Sequence, residues 1–213
     1  MKKHLVLILM LLSVELFAQY NSATIKLGYF NPSATDGGFI IGFNGERFMD
    51  ESFNIGWSVD WFNKNYVDES LVKEFTNFYG IPNSSINELR AKTNLHDLPL
   101  MLNISSSLPL APRVRAYFTA GAGLEVLLIF YRNFQNPNEN EFKSAFDFSW
   151  RLGGGILFEV GRRSDILFEL SYHSSSPSWT YQVDDPQNGF RRTFERRFDM
   201  SGIMTRLGFR FFY

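Results

Sequence analysis

The chain has 213 residues, no cysteine and a formal net charge of −1, so disulfides and thiolate metal sites are excluded and no excess of positive charge marks a nucleic-acid ligand. Mean hydropathy is an ordinary −0.15, yet 17% of the residues are aromatic, with 23 Phe. Large rings must therefore be concentrated on a subset of positions, as in a lipid-facing β-barrel with aromatic girdles.

Residues 1–18 read as a secretory signal peptide: Lys2 and Lys3 give a positive start, residues 5–12 are an unbroken apolar run, and Leu16, Phe17 and Ala18 precede a cleavage point before Gln19. The run is too short for a membrane helix, which needs roughly 20 apolar residues. Ala18 rather than a cysteine at the cut argues against a lipoprotein anchor. The expected mature domain is 19–213.

Beyond the signal, eight segments alternate with period two, at 23–31, 37–48, 52–64, 94–107, 113–132, 144–161, 164–176 and 198–213. The connections after the second, fourth and sixth are short (49–51, 108–112 and 162–163). Those after the third, fifth and seventh are long and polar, and the first, 32–36, is moderate. Short turns at one end and long loops at the other describe an all-β, eight-stranded antiparallel up-and-down transmembrane β-barrel, crossed by strands of about 9 to 11 residues.

Each segment sorts into two faces. Ile25, Leu27 and Tyr29 oppose Lys26, Gly28 and Phe30. Phe53, Ile55, Trp57, Val59 and Trp61 oppose Asn54, Gly56, Ser58 and Asp60. In the fifth segment, Phe118, Ala120, Ala122, Leu124, Val126 and Leu128 oppose Thr119, Gly121, Gly123 and Glu125. In the sixth, Phe146, Phe148, Trp150, Leu152, Ile156 and Phe158 oppose Asp147, Ser149, Arg151, Gly153, Gly155 and Glu159. In the seventh, Phe168, Leu170 and Tyr172 oppose Glu169, Ser171 and His173.

A soluble lipocalin-like barrel would turn the oily face inward, but four or more large side chains from each of eight strands would overfill so narrow an interior. The glycines on the polar face, Gly28, Gly42, Gly56, Gly121, Gly123, Gly153, Gly155 and Gly208, suit a crowded lumen. The rings therefore face lipid, and the lumen receives Lys26, Asp60, Asp97, Glu125, Asp147, Arg151, Glu159, Glu169, Arg206 and Arg210. Unpaired charges there would be costly, so the arginines are expected to pair with these carboxylates and plug the lumen.

The chain ends "RLGFRFFY". Leu207, Phe209, Phe211 and Tyr213 belong to the lipid face, while Arg206 and Arg210 turn inward. A terminal aromatic after alternating apolar residues resembles the C-terminal signal that the barrel assembly machinery recognises. Three stretches carry a wider resemblance: "HDLPLMLNIS" from His96, "RAYFTAGAGLEVLL" from Arg115 and "FELSYHSSS" from Phe168. A Leu-Pro-Leu strand, then an aromatic strand with small residues, then a Glu-x-x-Tyr element resembles the outer membrane protein beta-barrel domain family, the OmpX-like and PorT-like small barrels. That resemblance implies fold and outer-membrane location, and no single activity.

One stretch invites a catalytic reading. Lipid A deacylases similar to PagL carry His-x-Ser-Asn on a late strand, and His173 and Ser175 match the first and third positions. Ser176 stands where Asn is expected, Asp184 and Asp185 do not fall at a matching acidic position, and parity points His173 inward, so a polar strand end is the better reading. No catalytic, cofactor-binding or metal-ligating set is assigned, because His4 and His96 lack partners at ligand spacing.

In the long connection, Leu71, Phe75, Phe78 and Tyr79 share one side of an expected helix that Asp68 caps and Gly80 with Pro82 ends. Such a helix would cover the barrel mouth, the favoured reading because apolar helix faces are usually buried, or present an apolar patch to a partner. The last loop, 177–197, sets Trp179, Tyr181 and Phe190 beside Arg191, Arg192, Arg196 and Arg197, a mix suited to contact with a protein or an anionic lipid headgroup, or to a solvated extension of the hairpin whose arginines meet lipopolysaccharide phosphates.

The expectation is a monomeric, non-enzymatic outer-membrane protein acting through extracellular loops, without cofactors. The alternatives are a narrow porin-like channel and a lipid A hydrolase. Expected contacts are outer-membrane lipid and lipopolysaccharide, the barrel assembly machinery through the C-terminal strand, and an extracellular surface partner; nucleic acid is not expected.

Overall fold

The computed structural model describes residues 21–50, 52–67, 72–73, 76–77, 88–89, 91–133, 136, 138–184 and 191–213. Ten strands follow in chain order: β1 (Asn21–Pro32), β2 (Gly38–Phe48), β3 (Phe53–Val67), β4 (Lys92–Ala111), β5 (Val114–Arg132), β6 (Asn140–Gly161), β7 (Ser164–Ser174), β8 (Ser178–Asp184), β9 (Arg191–Arg197) and β10 (Gly202–Phe212). Eight of them form a closed antiparallel barrel, in the order β1-β10-β7-β6-β5-β4-β3-β2, and β8 and β9 form a separate two-stranded sheet. Closure is made by β1 against β10, where Leu27 lies opposite Leu207 and Thr24 opposite Arg210. Sealing that seam leaves the barrel no free edge.

The period-two reading holds around the wall. β7 and β10 alternate almost without fault between buried and exposed positions. Phe148, Leu170 and Phe209 are 64%, 53% and 50% exposed, whereas Glu125, Glu169 and Arg206 are buried at 0 to 2%. Large apolar side chains outside and charged ones inside invert the soluble pattern, and a surface this extensively apolar is compatible with hydrocarbon rather than water.

Four features differ from the sequence expectations. First, the strands are longer than the alternating cores: β4 runs on to Ala111 and β6 begins at Asn140, because main-chain pairing continues past the last residue with a clear facial preference. Second, the stretch 177–197 is not simply a loop. Its two halves pair from Ser178 opposite Arg197 to Asp184 opposite Arg191, and residues 198–201 form the return to the barrel wall instead of opening the last strand.

Third, the lumen is polar in only part of its height. Phe30, Ile40, Phe62, Leu95, Leu127, Ile129, Tyr131 and Met204 point inward and pack with Trp179, Phe198 and Met200 into one buried cluster toward the long-loop end. Fourth, Asp147 and Glu159 are only half-buried and join no ion pair among the described residues. The expected helix in the long connection, with Asp68, Leu71, Phe75, Phe78, Tyr79, Gly80 and Pro82, lies almost wholly outside the described residues, as does the signal peptide. Residues 72–73 and 76–77 are helical, and Val72 packs on the apolar cluster.

Candidate functional site: a layered lumen

The inward side chains stack in layers, and the strand register fixes their order. Along β10 the inward positions run Arg210, Gly208, Arg206, Met204, and β1 answers with Thr24, Lys26, Gly28, Phe30. The layer nearest the short turns holds Arg210, whose Nη2 lies 3.2 Å from Glu46 Oε2. Tyr117 donates its hydroxyl to Glu46 Oε1 at 3.2 Å, and the Arg210 guanidinium sits 5.2 Å from the Tyr117 ring centroid, within cation–π range.

The next layer is a continuous charge chain. Lys26 Nζ donates to Glu169 Oε2 at 2.7 Å, and Arg206 donates through Nη2 to the other oxygen of Glu169. Arg206 Nη1 reaches Asp60 Oδ1 at 3.0 Å, and Asp60 Oδ2 accepts from Arg151 Nη1 at 2.6 Å. Three cations thus alternate with two carboxylates, all five side chains no more than 4% exposed. Charge-assisted bonds of this kind compensate a desolvation that neither partner would survive alone. Gly42 makes room for the chain, since a Cβ there would overlap Asp60 Oδ1.

Above this, Glu125 and His173 meet at 3.0 Å through Oε2 and Nε2, both fully buried. The His173 ring also meets Phe30 edge-on at a centroid distance of 5.9 Å, where the polar layers give way to the apolar cluster. Trp179 from β8 caps that cluster, 4.7 Å from Tyr131 between centroids. Ser176 N donates to Asp147 Oδ2 at 2.6 Å, tying the stretch between β7 and β8 to β6.

The expected pairing of arginines with lumen carboxylates therefore holds for Asp60 and Glu169. Asp97 is buried but has no cation bonded to it among the described residues. Glu46 and Asp165 were not singled out in the sequence, although both share inward parity with residues that were: Glu46 with Gly42, Asp165 with Glu169. His173 and Ser175 are both buried, so the imidazole faces a carboxylate inside the barrel and not an acyl chain outside it. The other described histidine, His96, is on the outer wall, accepting at Nδ1 from Trp61 Nε1–H at 3.2 Å and meeting Phe130 edge-on.

No protein-family model matches the sequence, and no curated protein matches it. Solved structures do match its shape. The outer membrane protein OprG from Pseudomonas aeruginosa superposes with a TM-score of 0.63 at 10% identity, over 92% of this chain and 96% of that one. A major outer membrane protein from Thermus thermophilus gives a TM-score of 0.59 at 12% identity, over 92% and 100%. Identity this low carries shape and not activity. By strand count, closure and an apolar exterior, this chain has the fold of the small eight-stranded outer-membrane β-barrels.

Proposed function

We propose that the protein is an integral outer-membrane barrel with a sealed lumen, a non-enzymatic structural, adhesion or binding protein that works through its long-loop end. Residues 1–18 serve in this reading as the export signal, and the β10 tail as the segment handed to the assembly machinery. One observation carries it: the lumen is filled from Arg210 through Arg206, Asp60 and His173 to the Phe30–Trp179 cluster. Interiors of eight-stranded barrels are just wide enough to be filled by side chains.

Planar-bilayer recording tests the seal. The filled lumen predicts no steady unitary current, and a reproducible ohmic step per inserted molecule would make the narrow-channel alternative the correct one. Lipid A deacylation, read by mass spectrometry, is expected to be absent for wild-type protein. Activity that Ser175→Ala removes would establish the hydrolase instead.

A further inference from the structure

The short-turn end has a feature that the sealed-lumen reading leaves unused. Arg113 is the single non-glycine residue with positive φ among the described residues, at 66°. It follows Pro112, whose ring fixes φ near −65°, and a proline followed by a positive-φ residue is the pattern of a type II turn, where glycine or asparagine belongs. An arginine kept there retains its side chain against the backbone's preference.

The neighbouring turn carries Arg162 and Arg163, and the end of β6 that leads into it bonds to the first turn: Glu159 N donates to Arg113 O at 2.9 Å. All three arginines are exposed, and none has an ion-pair partner among the described residues. Asp50, in the turn between β2 and β3, is occupied by the backbone N–H groups of Ser52 and Phe53, both at 2.7 Å. Glu159 and Asp165 turn toward the lumen. On the outer wall immediately beside the arginines, Leu110, Phe158 and Val160 are 64%, 47% and 52% exposed.

We propose that Arg113, Arg162 and Arg163 form a recognition edge for the phosphodiester headgroups of anionic lipid in the leaflet at the short-turn end. The inference rests on the membrane-spanning reading. Guanidinium groups bind phosphate oxygens in a bidentate manner. The apolar wall running directly into this edge places lipid, not a soluble anion, against it. Short turns face the periplasm in barrels of this type, so the occupant is a phospholipid of the inner leaflet.

The test folds the full-length barrel into phosphatidylcholine vesicles and compares the immobilised fraction of spin-labelled phosphatidylglycerol with that of spin-labelled phosphatidylcholine. Wild type should favour the glycerol lipid by about fivefold at low salt, and 500 mM salt should bring the ratio toward one. Arg113→Gly should fold as well as wild type, because glycine suits φ 66°, yet lower the preference; Arg113→Gly combined with Arg162→Gln and Arg163→Gln should abolish it. If the glycine variant fails to fold, the Arg162→Gln/Arg163→Gln pair carries the test.

Full preference in the triple variant, or none in wild type, overturns the proposal. So does its loss to 10 mM inorganic phosphate at constant ionic strength, which would assign the edge to free phosphate. A wild-type chain that never gains heat-sensitive gel mobility in vesicles overturns the membrane reading itself, and this edge with it.

Discussion

Glu169→Gln removes one charge from the middle of the lumen chain. The carboxylate accepts from both Lys26 and Arg206, one on each oxygen. Arg206 keeps Asp60 at 3.0 Å, a carboxylate it shares with Arg151. Among the described residues Lys26 then has no ion-pair partner, and the Tyr117 ring lies with its centroid 5.9 Å away. Three buried cations are thus left facing one carboxylate, and the Lys26 ammonium loses its partner outright, a loss worth about 3–5 kcal/mol.

Lys26→Met should cost far less, because Glu169 retains Arg206. The double variant should recover part of the Glu169→Gln loss, giving a coupling of roughly 0.5–3 kcal/mol. Urea titration of barrels folded into phosphatidylcholine vesicles, followed by tryptophan fluorescence and by gel mobility, measures all three. If Glu169→Gln changes stability by less than about 0.5 kcal/mol, the surface-like range, the charge chain is not what fills the lumen.

Gly42→Val should push the Asp60 carboxylate off Arg206 and Arg151, since even a Cβ would overlap Asp60 Oδ1. The same urea titration should show a loss of about 1–3 kcal/mol or more. Trp179→Ala should leave barrel gel mobility intact but speed amide hydrogen exchange across Ser178–Asp184 and Arg191–Arg197, because Trp179 is the 7% exposed anchor that docks this hairpin on the mouth. Unchanged exchange there would mean that the hairpin is held by other contacts. Leu170→Arg on the outer wall should cost about 2–4 kcal/mol if that position lies near the bilayer midplane, measured by the same titration; a neutral outcome would place Leu170 outside hydrocarbon.

Barrel closure and facing were legible because lipid and lumen impose opposite demands on successive residues. The stretches 168–173 and 206–211 show this most clearly, with large apolar side chains alternating with polar residues or glycine. The apolar cluster was not legible for the converse reason. Leu127, Ile129 and Tyr131 lie between Val126, Leu128 and Phe130, so both faces of that strand are apolar and the period disappears.

Parity also says which charges are inside without saying which ones meet. Glu46 on β2 and Arg210 on β10 are brought together across β1, through the stagger of the closed sheet. The pairing of β8 with β9 fits the reading of 177–197 as a solvated extension of the hairpin, but the arginine-rich composition of the stretch carries no period from which its strands could be placed. For His173 and Ser175 the sequence offered a short catalytic pattern against an inward parity, and parity described the geometry better.

The account depends on rings facing hydrocarbon while charges line the axis. The chain has no cysteine, so single nitroxide labels can be introduced cleanly at Phe148, Leu170 and Phe209 and their collisions with oxygen and with a water-soluble nickel chelate compared in vesicles. Frequent collisions with oxygen and few with nickel at all three positions are the predicted result. Nickel collisions at the level of an exposed loop residue would contradict it, and with it the inside-out arrangement of this barrel.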